Sequence, residues 1–136
     1  MRAGGSGDVT ATHVQWTTTR GTEICTPILH GGHLFWTNEE SGIAHCLDAK
    51  TGTVAYQQRL KPTPGLIYAS GILAGGRIYY VSCGKGTCVV EAAPQFRQLA
   101  RNVIESDTSI FNGTPAVSDG QLFLRSDRFL YCIGKK

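Results

Sequence analysis

Cysteine, histidine, serine and acidic side chains are the groups through which a chain of this size does chemistry, and their spacing here builds no catalytic constellation. Five cysteines, Cys25, Cys46, Cys83, Cys88 and Cys132, include no C-x-x-C pair of the kind that opens a zinc site, and their odd number leaves at least one thiol unpaired. Cys83 and Cys88 flank Gly84-Lys85-Gly86-Thr87, which reads as a hairpin turn, so a cross-strand disulfide is sterically allowed in an oxidising compartment. The plainer expectation is that these cysteines are small buried hydrophobes. His30 and His33 flank a Gly-Gly turn, but one such pair supplies too few ligands for zinc. His45 falls in an apolar strand and reads as a satisfied interior residue, and Glu39-Glu40 reads as part of a polar turn. Gly84-Lys85-Gly86 resembles half a phosphate loop, yet it joins strand to strand, and no helix N-terminus follows to hold an anion. Asn112-Gly113-Thr114 is a glycosylation sequon by pattern alone. Ser109 and Ser118 have no histidine and acid at a recognisable spacing. No catalytic residue, no cofactor and no metal is therefore expected.

The bulk composition points the same way. A chain of 136 residues with 13 Lys+Arg against 10 Asp+Glu carries a net charge of +3, and its basic residues are scattered apart from Lys135 and Lys136. No basic stripe interleaved with aromatics exists to follow a phosphate backbone, so nucleic acid is not an expected partner. No apolar run approaches the roughly 18 residues that cross a bilayer. The stretch Met1 to Val9 is Gly-rich and polar, without the apolar core of a secretory signal, so the sequence as written is expected in the cytoplasm. The 17 glycines imply many turns, and many turns imply short strands.

Those turns recur. Thr26 to Trp36, Ser70 to Tyr80 and Thr114 to Leu124 align, and the second turn glycine of each, Gly32, Gly76 and Gly120, recurs at an interval of 44 residues. Each unit reads as a short apolar strand a, a two-residue turn (Gly31-Gly32, Gly75-Gly76, Asp119-Gly120) and a second strand b. Such turns supply the positive φ that a type I′ hairpin requires. Strand b is apolar on both faces, as in Leu34-Phe35-Trp36, Ile78-Tyr79-Tyr80-Val81 and Leu122-Phe123-Leu124, which is how a strand sandwiched between sheets reads. Strand c follows at Gly42 to Leu47, Thr87 to Glu91 and Arg128 to Ile133. In the first unit Asp48-Ala49-Lys50-Thr51-Gly52 turns the chain into a strand d, Thr53 to Gln58, with Asp48 placed to accept backbone N–H groups and Gly52 free to turn left-handed. Four antiparallel strands in one unit make a propeller blade. The expected fold is all-β, a β-propeller with three four-stranded antiparallel blades per chain. A Gly-rich segment at 1–12 is followed by a closing strand at 13–18, blade one at 26–60, blade two at 69–104 and strands a to c of blade three at 113–134.

One local signal competes. Pro94 to Ile104 places Phe96, Leu99, Ala100, Val103 and Ile104 on one helical face, with Pro94 suited to a first turn. The repeat register makes the same segment the outer strand of blade two, and the register is preferred.

Cys46-Leu47-Asp48-Ala49-Lys50-Thr51-Gly52-Thr53-Val54-Ala55-Tyr56 resembles the A-x-D-x-x-T-G-x-x-x-W signature of PQQ-like (quinoprotein-type) propeller repeats. In that family the final aromatic docks against the next blade. Here Tyr56 stands in place of Trp, and blade two keeps only a skeleton, Glu91 to Phe96. The resemblance covers about residues 13 to 134 and is closest to the C-terminal three blades of a larger bacterial propeller. Quinoprotein dehydrogenases of the family hold their quinone with adjacent cysteines, a stacking Trp and a calcium. No two cysteines are adjacent here, so a fragment of such an enzyme is the second choice. Resemblance to the outer-membrane assembly scaffold lipoprotein, a PQQ-like propeller without quinone, implies instead protein or peptide binding by strand addition. The loops with most character are Thr37 to Ser41, Leu60 to Gly65 and Glu105 to Asn112. Full-length relatives are expected to be exported or periplasmic.

The strand count leaves the ring open. His13 to Thr18 reads as an orphan strand d in which Trp16 falls at the docking position, and the third unit stops at strand c. Three blades cannot encircle an axis, because propellers typically need four to eight. The expected partner is a second copy joined head to tail, giving a six-bladed ring as a dimer, with Val14, Trp16, Tyr56, Leu130 and Cys132 at blade docking and closure. A piece cut from a longer propeller gene would have the same end surfaces.

Overall fold

The structure is a computed structural model, and it describes residues 4–134. A short helix α1 (Thr10–His13) precedes eleven strands in three antiparallel sheets. The first sheet holds β1 (Ile28–His30), β2 (His33–Thr37), β3 (Ile43–Asp48) and β4 (Val54–Arg59) in chain order. β5 (Ile72–Ala74), β6 (Arg77–Val81), β7 (Thr87–Glu91) and β8 (Gln98–Asn102) repeat that order in the second. The third has β9 (Ala116–Ser118), β10 (Gln121–Arg125) and β11 (Leu130–Ile133).

Turn chemistry sets the registers. Gly31 and Gly32 have φ of 55° and 76°, Gly75 and Gly76 55° and 69°, and Asp119 and Gly120 50° and 74°. Two positive φ values in succession match the right-handed twist of the flanking strands, so His30 pairs with His33, Ala74 with Arg77 and Ser118 with Gln121. A bulge recurs where β3 meets β4, between Cys46 and Leu47, and where β7 meets β8, between Val89 and Val90. Each bulge lets the outer strand twist away.

Residues 98–102 are strand, not helix, because β7 offers an edge of backbone donors and acceptors that a lone helical turn could not match. The helix-like spacing comes from the turn and the bulge, which shift the two-residue alternation and turn Phe96 inward against Tyr56. His13 to Thr18 departs from its expected strand. His13 ends α1, and Val14–Thr18 runs without a strand partner, since the open edge of β11 lies at the far end of the stack.

Alternation gives every sheet an upstream face, towards the preceding unit, and a downstream one. Phe35, Ala44, Cys46 and Tyr56 on the downstream face of the first sheet pack against Ile78, Tyr80, Cys88 and Val90 on the upstream face of the second. Tyr80 and Phe35 are the largest side chains fully removed from solvent there; burying Phe35 is worth roughly 1.5–3 kcal/mol, whereas the gain at Tyr80 is offset by a buried hydroxyl without a partner. Val81, Leu122, Leu124 and Tyr131 join Phe111 and Ile104 in a smaller cluster between the second and third sheets. Among the described residues no helix is long and apolar enough to cross a membrane.

Candidate functional site at the ends of the blade stack

Asp48 builds the first junction. Its Oδ1 accepts the backbone N–H groups of Lys50 and Thr51 at 3.0 and 2.8 Å and the Thr51 hydroxyl at 2.9 Å. The Thr51 bonds, with lesser help from Lys50 and the charge of His33, hold its carboxyl below the usual carboxylate range. The turn so fixed presents Gly52 at φ +74°, and the Trp16 ring lies on it: a Cβ there would stand 2.7 Å from Trp16 Cδ2. Trp16 Nε1 donates to the Ala49 carbonyl at 3.2 Å.

The second junction repeats the first with the sizes changed. Asp48 N donates to Thr53 O, and Glu91 N to Arg97 O, so Gly52 and Phe96 hold equivalent places. Tyr56 meets Phe96 edge to face, ring centroids 5.3 Å apart. A large indole rests on a glycine at one junction, and at the next a single phenol ring meets a phenyl ring in the glycine's place. The buried Tyr56 hydroxyl has no partner, and burial, with the neighbouring Cys46, drives its pKa well above the ordinary tyrosine value.

A ladder of hydroxyls joins the inner strands. Thr26 N donates to Ser70 Oγ at 2.9 Å, and Ser70 N to Thr114 Oγ1 at 3.1 Å, both across one repeat. The recurrence of Thr26, Ser70 and Thr114 was visible in the aligned repeats, although nothing local announced a bond. Cys25, by contrast, was not legible as an anchor. It is buried, and its Sγ lies 3.5 Å from the carbonyls of Ile67 and Ala69.

At the upstream end, Trp36 stacks on His45 at 5.1 Å and 10°. The expected satisfied histidine is not found: His45 Nδ1 and Trp36 Nε1 are both buried without a hydrogen-bond partner, and Gln57, the cross-strand neighbour of His45, accepts instead from Arg20 Nε. Burial, and then the charge of Arg20, lowers the His45 pKa. On the same sheet a groove of about 590 Å³ has walls that include Val14, Trp16, Leu29 and Leu34. Leu29 is 65% exposed.

At the downstream end, β11 pairs among the described residues only with β10. Leu130, 72% exposed, and the exposed Cys132 lie on its open face, with Ile133 and Phe129 also in solvent. Tyr131 turns the other way, and its hydroxyl donates to Asp107 Oδ2 at 2.7 Å. Burial and then Asp107 push the Tyr131 pKa up to about 12. Asp107 also accepts the Ser109 hydroxyl and N–H at 2.6 and 2.9 Å, and these hydroxyl donors hold its carboxyl well below the usual range. Ser109 is thus a donor to an acid and not a nucleophile beside a base.

The remaining sequence candidates are dispersed. Cys83 points at Asn112 Oδ1, 3.2 Å away, while Cys88 is buried against the first sheet, and both are free thiols. His33 Nδ1 bonds the Gly31 carbonyl at 2.9 Å. Among the described residues no three His, Cys, Asp or Glu side chains cluster as metal ligands. Glu39 is buried and accepts the Thr22 hydroxyl at 2.8 Å. The three loops of most character are largely structural, since Leu60, Pro64 and Phe111 are buried and Ile67 N donates to Glu39 O.

Stacked four-stranded meanders with docking aromatics define a segment of a β-propeller. No family profile matches the chain, and no curated protein matches it in sequence. The structure is similar to quinohemoprotein alcohol dehydrogenase from Comamonas testosteroni, with a TM-score of 0.60 and 13% identity over 74% of this chain and 16% of that one. Against quinohemoprotein alcohol dehydrogenase from Pseudomonas putida HK5 the TM-score is 0.57, with 16% identity over 81% of this chain and 17% of that one. The fold is therefore that of quinoprotein-type propeller blades, and the chain spans a small part of the enzymes' length.

The residues present do not fit a quinone with its calcium. Trp36 is buried with His45 stacked on its ring, and Trp16 has one face seated on Gly52. The cysteines are free and dispersed, without the adjacent pair the resemblance requires.

Proposed function

We propose that this chain is a non-catalytic propeller scaffold for protein or ligand binding that associates head to tail with a second copy to close a ring. The observation that carries this reading is the bare edge of β11, whose exposed Leu130 and Cys132 face away from the stack, matched at the other end by an unpaired Val14–Thr18. An unpaired strand edge beside apolar surface is a template for another strand. Light scattering on the eluting protein tests it: twice the chain mass of 14.7 kDa supports the ring, and a folded monomer overturns it.

The likeness to two quinohemoprotein alcohol dehydrogenases supports a second reading, a fragment of such an enzyme. Adding pyrroloquinoline quinone and calcium and recording the visible spectrum separates the two. The scaffold takes up no chromophore, and stoichiometric uptake would establish the fragment.

A further inference from the structure

Resting on that self-association, we infer that Val14–Thr18 of one copy becomes the fourth strand of the last sheet of a second copy, with Trp16 opposite Cys132 and Thr18 opposite Leu130. Across the junction, Phe123 of the receiving copy fills the groove between Leu29 and Leu34 of the donor.

The register follows from the chain's own repeats. In the first sheet Phe35 stands opposite Cys46 and Cys46 opposite Tyr56. In the third, Phe123, two repeats after Phe35, stands opposite Cys132. Cys132 therefore holds the place of Cys46, and the residue it awaits holds the place of Tyr56. Trp16 is that residue, because it lies on Gly52 as Tyr56 lies on Phe96. Counting along, Gln58 pairs with Ala44 in the first sheet, which puts Thr18 against Leu130.

Two further features need the same partner. The hydroxyl ladder runs from Thr26 N to Ser70 and from Ser70 N to Thr114, which leaves the Thr114 N–H and the Thr26 hydroxyl without this bond at opposite ends. The Thr26 of a second copy is the acceptor that Thr114 lacks. Within the chain, Phe35 shares one cluster with Leu73 and Ile78, the repeat equivalents of Leu29 and Leu34. Phe123, the equivalent of Phe35, has no such pair ahead of it, while Leu29 and Leu34 line an empty groove. Strand edge, hydroxyl and groove are all completed by this chain's own sequence, which selects a second copy over an unrelated protein.

The test mixes two differently tagged chains, both carrying Cys132→Ser, one with Thr18→Cys and the other with Leu130→Cys. Directly opposed residues on paired strands lie within disulfide reach. Under oxidised glutathione a mixed-chain disulfide should form about tenfold faster than with Val117→Cys, on the inner strand, in place of Leu130→Cys. Leu130→Lys, at an exposed position, should give a monomer with an unchanged circular dichroism spectrum. Association with no excess crosslinking would overturn the strand exchange and leave self-association standing. A monomeric wild-type chain would overturn both.

Discussion

Gly52 contributes through what it lacks. Its missing Cβ leaves the space that Trp16 occupies, and its φ of +74° is one that an L side chain resists. Gly52→Ala is expected to expel the indole and to lower stability by roughly 1–3 kcal/mol, from backbone strain and the lost ring contact together. Urea titration followed by tryptophan emission checks this, with a red shift as Trp16 enters water. His45 carries a pH dependence whose direction its burial dictates. Burial and Arg20 depress its pKa in the folded chain, so the unfolded chain binds the extra proton first. Stability should hold above about pH 6.5, the ordinary histidine value, and fall as pH drops below it towards the folded value. Asp48 and Asp107 are depressed carboxylates, so their contribution is present above their unfolded pKa and is lost only at lower pH. Urea midpoints between pH 7.5 and 5.5 therefore isolate the histidine, and His45→Gln should flatten that interval.

Strands a, b and c were legible because turn type, apolar runs and interval agreed with one another. Gly31-Gly32, Gly75-Gly76 and Asp119-Gly120 each turn as their residue types require. The outer strands were less legible. Phe96, Leu99, Ala100, Val103 and Ile104 mimic a helical face because a bulge interrupts strand alternation between Val89 and Val90. Val14–Thr18 has strand composition but no edge beside it, and a strand exists only by pairing. Polar anchors escaped for another reason: Cys25 reaches Ile67 and Ala69, and Asp107 reaches Tyr131, across separations that no local pattern encodes. At this scale Gly86 is the element's weak point. At φ +85° it abuts the Asn102 carbonyl so closely that any Cβ would collide with backbone. Gly86→Ala should part the β7–β8 end and cost roughly 2–4 kcal/mol, measured as a lowered thermal midpoint.

The whole molecule is a stack of three sheets whose two ends are unlike. Its interior clusters shrink along the chain: the core between the first and second sheets buries Tyr80, Phe35, Ile78 and Leu60 completely, whereas that between the second and third rests on Val81, Ala69, Phe111 and Leu124 with partly covered neighbours. The architecture could be read from one recurring interval, but which surface faced which could not, because that depends on the sense in which each blade leans on the next.

The three-stranded third sheet makes cohesion unequal along the chain. The amides of β11, guarded on one flank only, should trade deuterium soonest in dilute solution, while those of the second sheet's central strands persist. Raising protein concentration should slow that trade in β11 before anywhere else, so the terminal blade would owe its permanence to abundance in the cell as much as to its own packing.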